Sequence, residues 1–242
     1  MREIRLFVDA PMRAGLELAL PEGAARHALR VLRLQPGAAL TLFNGDGLQY
    51  AARLGAVDAR AAMLRIEAAE SVQRESPLRV TLLQAVARGD KMDWIIQKAT
   101  ELGVAGIWPV LSERSEVKLD PARSGKRLDH WRAIAISACE QCGRNVVPEL
   151  HAPTTLAGCV ATPATGARWM LHPGGTSRVR EIAMDSTALT LAVGPEGGFG
   201  DGDLAILRQA GYRALTLGPR ILRTETAGLA ALAAVQALSG DF

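Results

Sequence analysis

The chain has 242 residues, 48% hydrophobic and 22% charged, close to globular averages, which excludes a disordered chain and provides for a packed core. No run reaches the ~18 apolar residues of a membrane helix. The opening MREIRLFVDA has no continuous signal region, and three cysteines (Cys139, Cys142, Cys159) make no disulfide framework, so a reduced, cytoplasmic protein with no membrane partner is expected. A net charge of +3 and a pI near 9.0 admit a polyanionic partner without requiring one.

Residues 1–74 read as a β-rich unit of short strands. IRLFV (4–8) opens it, and LTLFNGDGLQYAARL (40–54) reads as a hairpin about Asn44-Gly45-Asp46-Gly47, residues that accept positive φ. Between them, the stretch from Gly23 to Gly45 has no acidic residue and carries Arg26, His27, Arg30 and Arg33. The three arginines recur at helical spacing and can share one face, either simply solvated or binding phosphate. ARAAMLRIEAA (59–69) fits a strand or a helix, and SVQRESPLRV (71–80), with Pro77, reads as a linker near residue 74.

From residue 75 to 242 strands and helices alternate, the pattern of an α/β domain with a mostly parallel sheet. LRVTLLQAV (78–86) is a strand. In KMDWIIQKATEL (91–102), Met92, Ile95, Ile96, Ala99 and Leu102 fall at helical spacing, with Gly103 as a stop. IWPV (107–110) is a short strand and RLDHWRAIAISACEQC (127–142) an amphipathic helix ended by Gly143. ARWML (167–171), ALTLAV (188–193) and RALTLG (213–218) read as buried strands, followed by an Ala/Leu helix over Thr226–Leu238.

Two loops carry the chemistry. In LTLAVGPEGGFG (189–200) a buried strand runs into Gly194, Gly197, Gly198 and Gly200, with a helix from about Asp203. Glycines just past a strand let the backbone approach a ligand at the carboxyl edge of the sheet. The loop is neither a P-loop nor a dinucleotide fingerprint. In LGPRILRTETA (217–227) a helix opens near Thr224, where threonine caps and Glu225 suits the dipole. Capping does not account for Arg220 and Arg223, cations close to a helix N-terminus, which point to an anionic or electron-rich partner. The C-x-x-C of Cys139 and Cys142 sits within a helix and has no second pair, so no metal is expected.

Seven segments resemble the SPOUT superfamily of knotted methyltransferases and, within it, the 16S ribosomal RNA uracil-N(3) methyltransferase family. They are HALRVLRLQPG (27–37), LFNGDG (42–47), ARGDKMDWIIQKATELGV (87–104), SERSEVK (112–118), EQCGR (140–144), AVGPEGGF (192–199) and LGPRILRTETA (217–227), in the family's order over nearly the whole chain. The resemblance implies a PUA-like β-barrel that binds RNA (1–74) and a SPOUT α/β domain (75–242) with a parallel sheet and a C-terminal deep trefoil knot. It implies a homodimer and S-adenosylmethionine as cofactor, held among three loops. Leu171 and His172 supply the first, and Gly194, Pro195, Glu196, Gly197 and Gly198 the second. Leu217, Gly218, Ile221, Leu222, Arg223 and Thr226 supply the third.

The implied reaction methylates ring nitrogen 3 of a uridine in the decoding region of 16S ribosomal RNA, within the small subunit. Arg223 would stabilise charge on a uracil oxygen, and Glu225 or Glu196 would either accept the proton or serve only to cap the helix or structure the loop. Arg26, His27, Arg30, Arg33, Lys91, Arg114 and Arg144 would hold RNA. Methylation of a ribose hydroxyl or of transfer RNA, and a non-catalytic RNA-binding protein of this fold, are the alternatives.

Overall fold

A computed structural model describes residues 3–57, 62–117, 121–162, 165–182 and 187–242; the side chains of His27 and residues 121–123 lie outside the described residues. Residues 59–61 of the ambiguous segment and Lys118 of SERSEVK also lie outside them. The chain divides into two units. One runs to Glu75 and takes in Cys139–Val147, and the other comprises Ser76–Ala138 and Pro148–Phe242.

The first unit contains β1 (Arg5–Phe7), β2 (Glu17–Ala19), α1 (Glu22–Arg26), β3 (Ala39–Phe43), β4 (Leu48–Val57) and β5 (Ala62–Ser71). They form a five-stranded sheet in the order β1-β3-β4-β5-β2, antiparallel except for the β1/β3 pair. The ambiguous segment is therefore a strand: Ala62, Leu64 and Ile66 point inward while Arg65 and Glu67 are exposed, the period of two that a half-buried strand requires. Tyr50 and Leu54 of β4 join Leu64 and Ile66 in the core. Between β3 and β4, Gly45 and Gly47 have φ of +94° and +91°. Asp46 fixes this turn by accepting from the Leu48 N–H at 2.8 Å and the Tyr50 hydroxyl at 2.6 Å.

Residues 139–147 belong to this unit for a visible reason. Arg5 donates to Asn145 Oδ1 at 2.6 Å, the Phe7 N–H donates to Glu140 Oε1 at 3.0 Å, and Arg144 is bound to Glu75.

The second unit follows the alternating pattern. Its elements are β6 (Arg79–Ala85), α2 (Lys91–Glu101), β7 (Gly106–Leu111), α3 (Pro121–Cys142, whose residues from Cys139 on belong to the first unit), β8 (Glu149–Leu150), β9 (Thr154–Thr155) and α4 (Leu156–Val160). Then come β10 (Ala167–Leu171), β11 (Ser177–Arg178), β12 (Ala188–Val193), α5 (Asp201–Gln209), β13 (Arg213–Thr216) and α6 (Thr224–Ser239). Every strand pair is parallel, in the order β11-β13-β10-β12-β6-β7-β8, with β9 also on β7. Central β12 is buried throughout from Leu189 to Val193, as a parallel strand covered on both faces must be. On α2 the residues spaced for burial, Met92, Ile95, Ile96 and Ala99, are buried. Asp93 accepts from Trp131 Nε1 at 3.2 Å and contacts His130 Nε2 at 2.8 Å, which ties α3 to α2.

α3 begins six residues before the periodic segment, at Pro121, a residue suited to a helix's first turn. α6 begins at Thr224, where the sequence has the helix open, but its N-cap residue is Arg223, whose carbonyl accepts the N–H groups of Thr226 and Ala227. Thr224 is thus not the cap expected from the sequence; its hydroxyl turns inward.

Candidate active site

A cavity of about 380 Å³ lies at the carboxyl ends of β10, β12 and β13, the edge where α/β sheets bind ligands. Each strand runs out into one wall. Leu171 ends β10 and His172 follows it, Gly194 to Gly198 follow β12, and Leu217, Ile221, Leu222 and Arg223 follow β13. The fold therefore brings together residues that lie some fifty apart in sequence. Two expected neighbours stand outside the cavity lining. Gly218, at φ +115°, turns the chain just after Leu217. Thr226 is exposed on the first turn of α6.

The glycine loop has a local logic. A Cβ on Gly194 would stand 3.0 Å from the Phe199 nitrogen and 3.1 Å from the Gly198 carbonyl carbon, so any larger residue would press the returning backbone outward by a few tenths of an ångström. Gly198 closes the turn at φ +70°, donating its N–H to Pro195 O at 2.8 Å. At the base of the loop, the Thr224 hydroxyl donates to Gly194 O at 2.6 Å and accepts from Gln84 Nε2 at 3.1 Å. One buried hydroxyl thus joins the second loop, the start of α6 and the end of β6. The sequence reading missed Gln84, although a lone amide within the apolar run LRVTLLQAV was the available signal.

Charge is concentrated at the cavity. Arg220 and Arg223 are exposed on its rim. Lys91 and Arg114, expected to hold RNA, are cavity-lining residues that already have partners. The Lys91 ammonium lies 3.1 Å from Glu196 Oε1 and 3.4 Å from Glu225 Oε2, and Arg114 donates to Gly197 O at 3.0 Å. Both follow the carboxyl ends of parallel strands, β6 and β7, so the strand-end rule applied to them as well. Burial alone would push the Glu196 carboxyl up. Its own backbone N–H, the Lys91 ammonium and the Arg88 N–H outweigh that and hold it below the usual carboxylate range. Glu225 faces Lys91 and is not part of the lining.

The remaining residues expected to hold RNA lie in the first unit. Arg26, Arg30 and Arg33 are exposed and make no ion pair among the described residues. They do not share one regular helix. After α1 the chain runs through a π-helical turn, His27–Val31, and Arg33 adopts φ +53°, so the 3.6-residue spacing does not carry through. The His27 side chain lies outside the described residues. Arg144 is corrected outright: it is 5% exposed and its guanidinium donates to Glu75 Oε2 through Nε at 3.0 Å and through Nη2. It holds the first unit together and is not available to phosphate.

Among the described residues no cluster of His, Cys, Asp or Glu could hold a metal ion, and no helix is long and apolar enough to cross a membrane.

Comparison with known proteins agrees with this geometry. An RNA methyltransferase domain matches residues 74–236 and an RNA methyltransferase PUA domain matches residues 20–67. A ribosomal RNA small subunit methyltransferase E from Buchnera aphidicola is 31% identical, covering 98% of this chain and 97% of its own. The structure of its counterpart from Neisseria gonorrhoeae, bound to S-adenosyl methionine, superposes with a TM-score of 0.93 at 39% identity over 100% of both chains. A Legionella pneumophila protein in complex with bound SAM gives a TM-score of 0.96 at 40% identity, again over 100% of both chains. The chain belongs to the ribosomal RNA small subunit methyltransferase E family of RNA methyltransferases, with a PUA domain ahead of a parallel α/β domain.

Proposed function

We propose that this RNA methyltransferase takes its methyl group from S-adenosylmethionine and places it on ring nitrogen 3 of a uridine in the decoding region of 16S ribosomal RNA. The observation that carries this reading is the cavity where three strand-end segments converge, glycine-lined on one side and arginine-rimmed on another. The donor set fits the cofactor. Backbone N–H and C=O groups of the glycine loop suit an adenine edge, and Val193, Leu217 and Leu222 give its ring apolar walls. When bound, S-adenosylmethionine supplies a methyl group whose bond to sulfur breaks, the electron pair staying on sulfur, as the bond to nitrogen forms.

The protein's task is then alignment and charge. Holding nitrogen, methyl and sulfur in line removes most of the entropic barrier. The neutral imide is a poor nucleophile, so its proton must pass to water as the bond to the methyl group forms. Arg223 is the N-cap residue of α6 and lines the cavity, which supports the reading that its guanidinium would donate two hydrogen bonds to a uracil oxygen as charge builds there. Glu196 is less suited to accept the proton than the sequence indicated, because its own backbone N–H, the Lys91 ammonium and the Arg88 N–H favour its ionised form, and Glu225 stands outside the cavity lining.

The exposed Arg26, Arg30 and Arg33 would hold phosphates and set register without reading bases. A homodimer is supported by α6, where Ala230, Ala233 and Ala237 form a partly exposed strip of small residues beside exposed Leu238. A knotted path is supported by strand order: after β12 pairs on one side of β10, the chain returns to set β13 between β10 and β11.

The test is methyl transfer by the purified protein to small subunits isolated from cells that lack it, with nucleosides resolved by mass spectrometry. The account expects 3-methyluridine in 16S ribosomal RNA. Label in a ribose 2′-hydroxyl, or in transfer RNA only, would replace this reading with one of the alternatives.

A further inference from the structure

Lys91 is the first residue of α2 and stands between two carboxylates from distant parts of the chain, Glu196 on the glycine loop and Glu225 in the first turn of α6. We infer that Lys91 is a positioning residue whose ammonium clasps these two carboxylates together and so sets the distance between the second and third walls of the cofactor cavity. The inference rests on reading that cavity as the S-adenosylmethionine site.

Three observations carry it. The Lys91, Glu196 and Glu225 side chains are 31%, 22% and 20% exposed, so water and salt screen the cluster less than an open surface pair. The same loop is tied twice more from the same side, by the Arg88 N–H to Glu196 Oε1 at 3.3 Å and by Arg114 to Gly197 O at 3.0 Å. Removing the ammonium would leave two carboxylates facing each other with nothing between them, and like charges would then drive the loop and the helix apart. The arms are unequal. Glu196 forms a hydrogen bond with Lys91, whereas Glu225 Oε2 contacts the ammonium at 3.4 Å and is buried without a hydrogen bond.

A phosphate-binding role is the rival. It fits poorly, because one ammonium between two carboxylates leaves the cluster with net negative charge. A direct part in the chemistry is the other rival, and it would show in the rate rather than in cofactor affinity.

The experiment measures S-adenosylmethionine affinity by calorimetry for the parent protein, Lys91→Met, Lys91→Arg, Glu196→Gln and the Lys91→Met/Glu196→Gln double variant. Single-turnover rates at saturating cofactor and the salt dependence of RNA binding accompany them. The clasp predicts that Lys91→Met weakens cofactor binding about tenfold, and that arginine restores it to within about threefold. The double variant should be no weaker than Lys91→Met by more than about twofold, the non-additivity expected of one network. The RNA salt slope should hold, and any fall in the rate at saturating cofactor should be smaller than the fall in affinity. Unchanged cofactor affinity with the salt slope reduced by about one would make Lys91 a phosphate contact. A lower rate at unchanged affinity would place it in the chemistry. Either result overturns the clasp. If Lys91→Met does not fold, Lys91→Arg and Glu196→Gln carry the test. Absence of cofactor binding by the parent protein is a separate result, which removes the cofactor reading itself.

Discussion

Replacing Thr224 with valine isolates the buried junction beneath the glycine loop. Thr224 is 6% exposed, and valine keeps its shape while deleting the hydroxyl. Two hydrogen bonds disappear, the 2.6 Å donation to Gly194 O and the 3.1 Å acceptance from Gln84 Nε2. Their loss is not equivalent. Gln84 Nε2 keeps the Ala85 carbonyl at 3.0 Å, whereas Gly194 O loses its 2.6 Å donor. At about 0.5–1.5 kcal/mol for each net hydrogen bond, the variant should lose about 1–3 kcal/mol.

All four tryptophans (Trp94, Trp108, Trp131 and Trp169) lie in the second unit. Urea unfolding followed by tryptophan fluorescence therefore reports the unit that holds the junction. Thr224→Ser, which keeps the hydroxyl, is the control and should retain most of the stability. Cofactor binding should weaken in the valine variant as well, since Gly194 begins the loop. A valine variant within about 0.5 kcal/mol of the parent, the scatter of neutral substitutions, would show that this hydroxyl does not hold the loop.

Three further outcomes follow from the same structure. Arg223→Lys keeps the charge but loses the planar fork, so single-turnover methyl transfer should slow by about 10²-fold with a much smaller change in cofactor affinity; a fully active lysine variant would remove Arg223 from the mechanism. Changing Arg26, Arg30 and Arg33 together to glutamine should weaken RNA binding across sequences and lower the salt slope by about one for each lost phosphate contact, leaving cofactor affinity alone; an unaltered slope would return these arginines to a plain solvated surface. For pH, Glu196 is held below the usual carboxylate range, so its share of stability is present above that range and is lost as pH falls through the lower, folded value. Lys91 is raised above 10.5, chiefly by its hydrogen bond with Glu196, so its share is present below that value and is lost as pH rises through the higher one. Cofactor affinity measured against pH should therefore be flat through neutrality, and a break near pH 7 traceable to either residue would contradict the pairing.

Fold class was legible because β12 and α2 write their environments in their periods. LTLAV is apolar but for Thr190 and buried throughout because the strand is covered on both faces, and Met92, Ile95, Ile96 and Ala99 mark one buried stripe. Strands β8, β9 and β11 have two residues each, too few to show any period. The glycine loop was legible as a ligand loop, since its glycines follow a buried strand. The partners of its charged neighbours were not. Lys91, Arg114 and Arg144 all looked like cations available to RNA, and only the fold shows that Glu196 and Glu225 face the first, Gly197 O the second and Glu75 the third. Pairing over such separations depends on the folded path and leaves no local pattern. Thr224 misled for a related reason: it has the composition of a cap, but Gly194 and Gln84 hold its hydroxyl on the inner side of the helix.

The central claim is methylation of uridine at ring nitrogen 3, a position that carries the hydrogen used in Watson–Crick pairing. The most direct measurement maps 16S ribosomal RNA from cells with and without this protein, by primer extension together with nucleoside mass spectrometry. The account predicts one strong stop in the decoding region that disappears with the protein, returns when it is restored, and coincides with 3-methyluridine. Identical maps from the two strains, or loss of a ribose-methylated nucleoside that reverse transcriptase reads through, would contradict it.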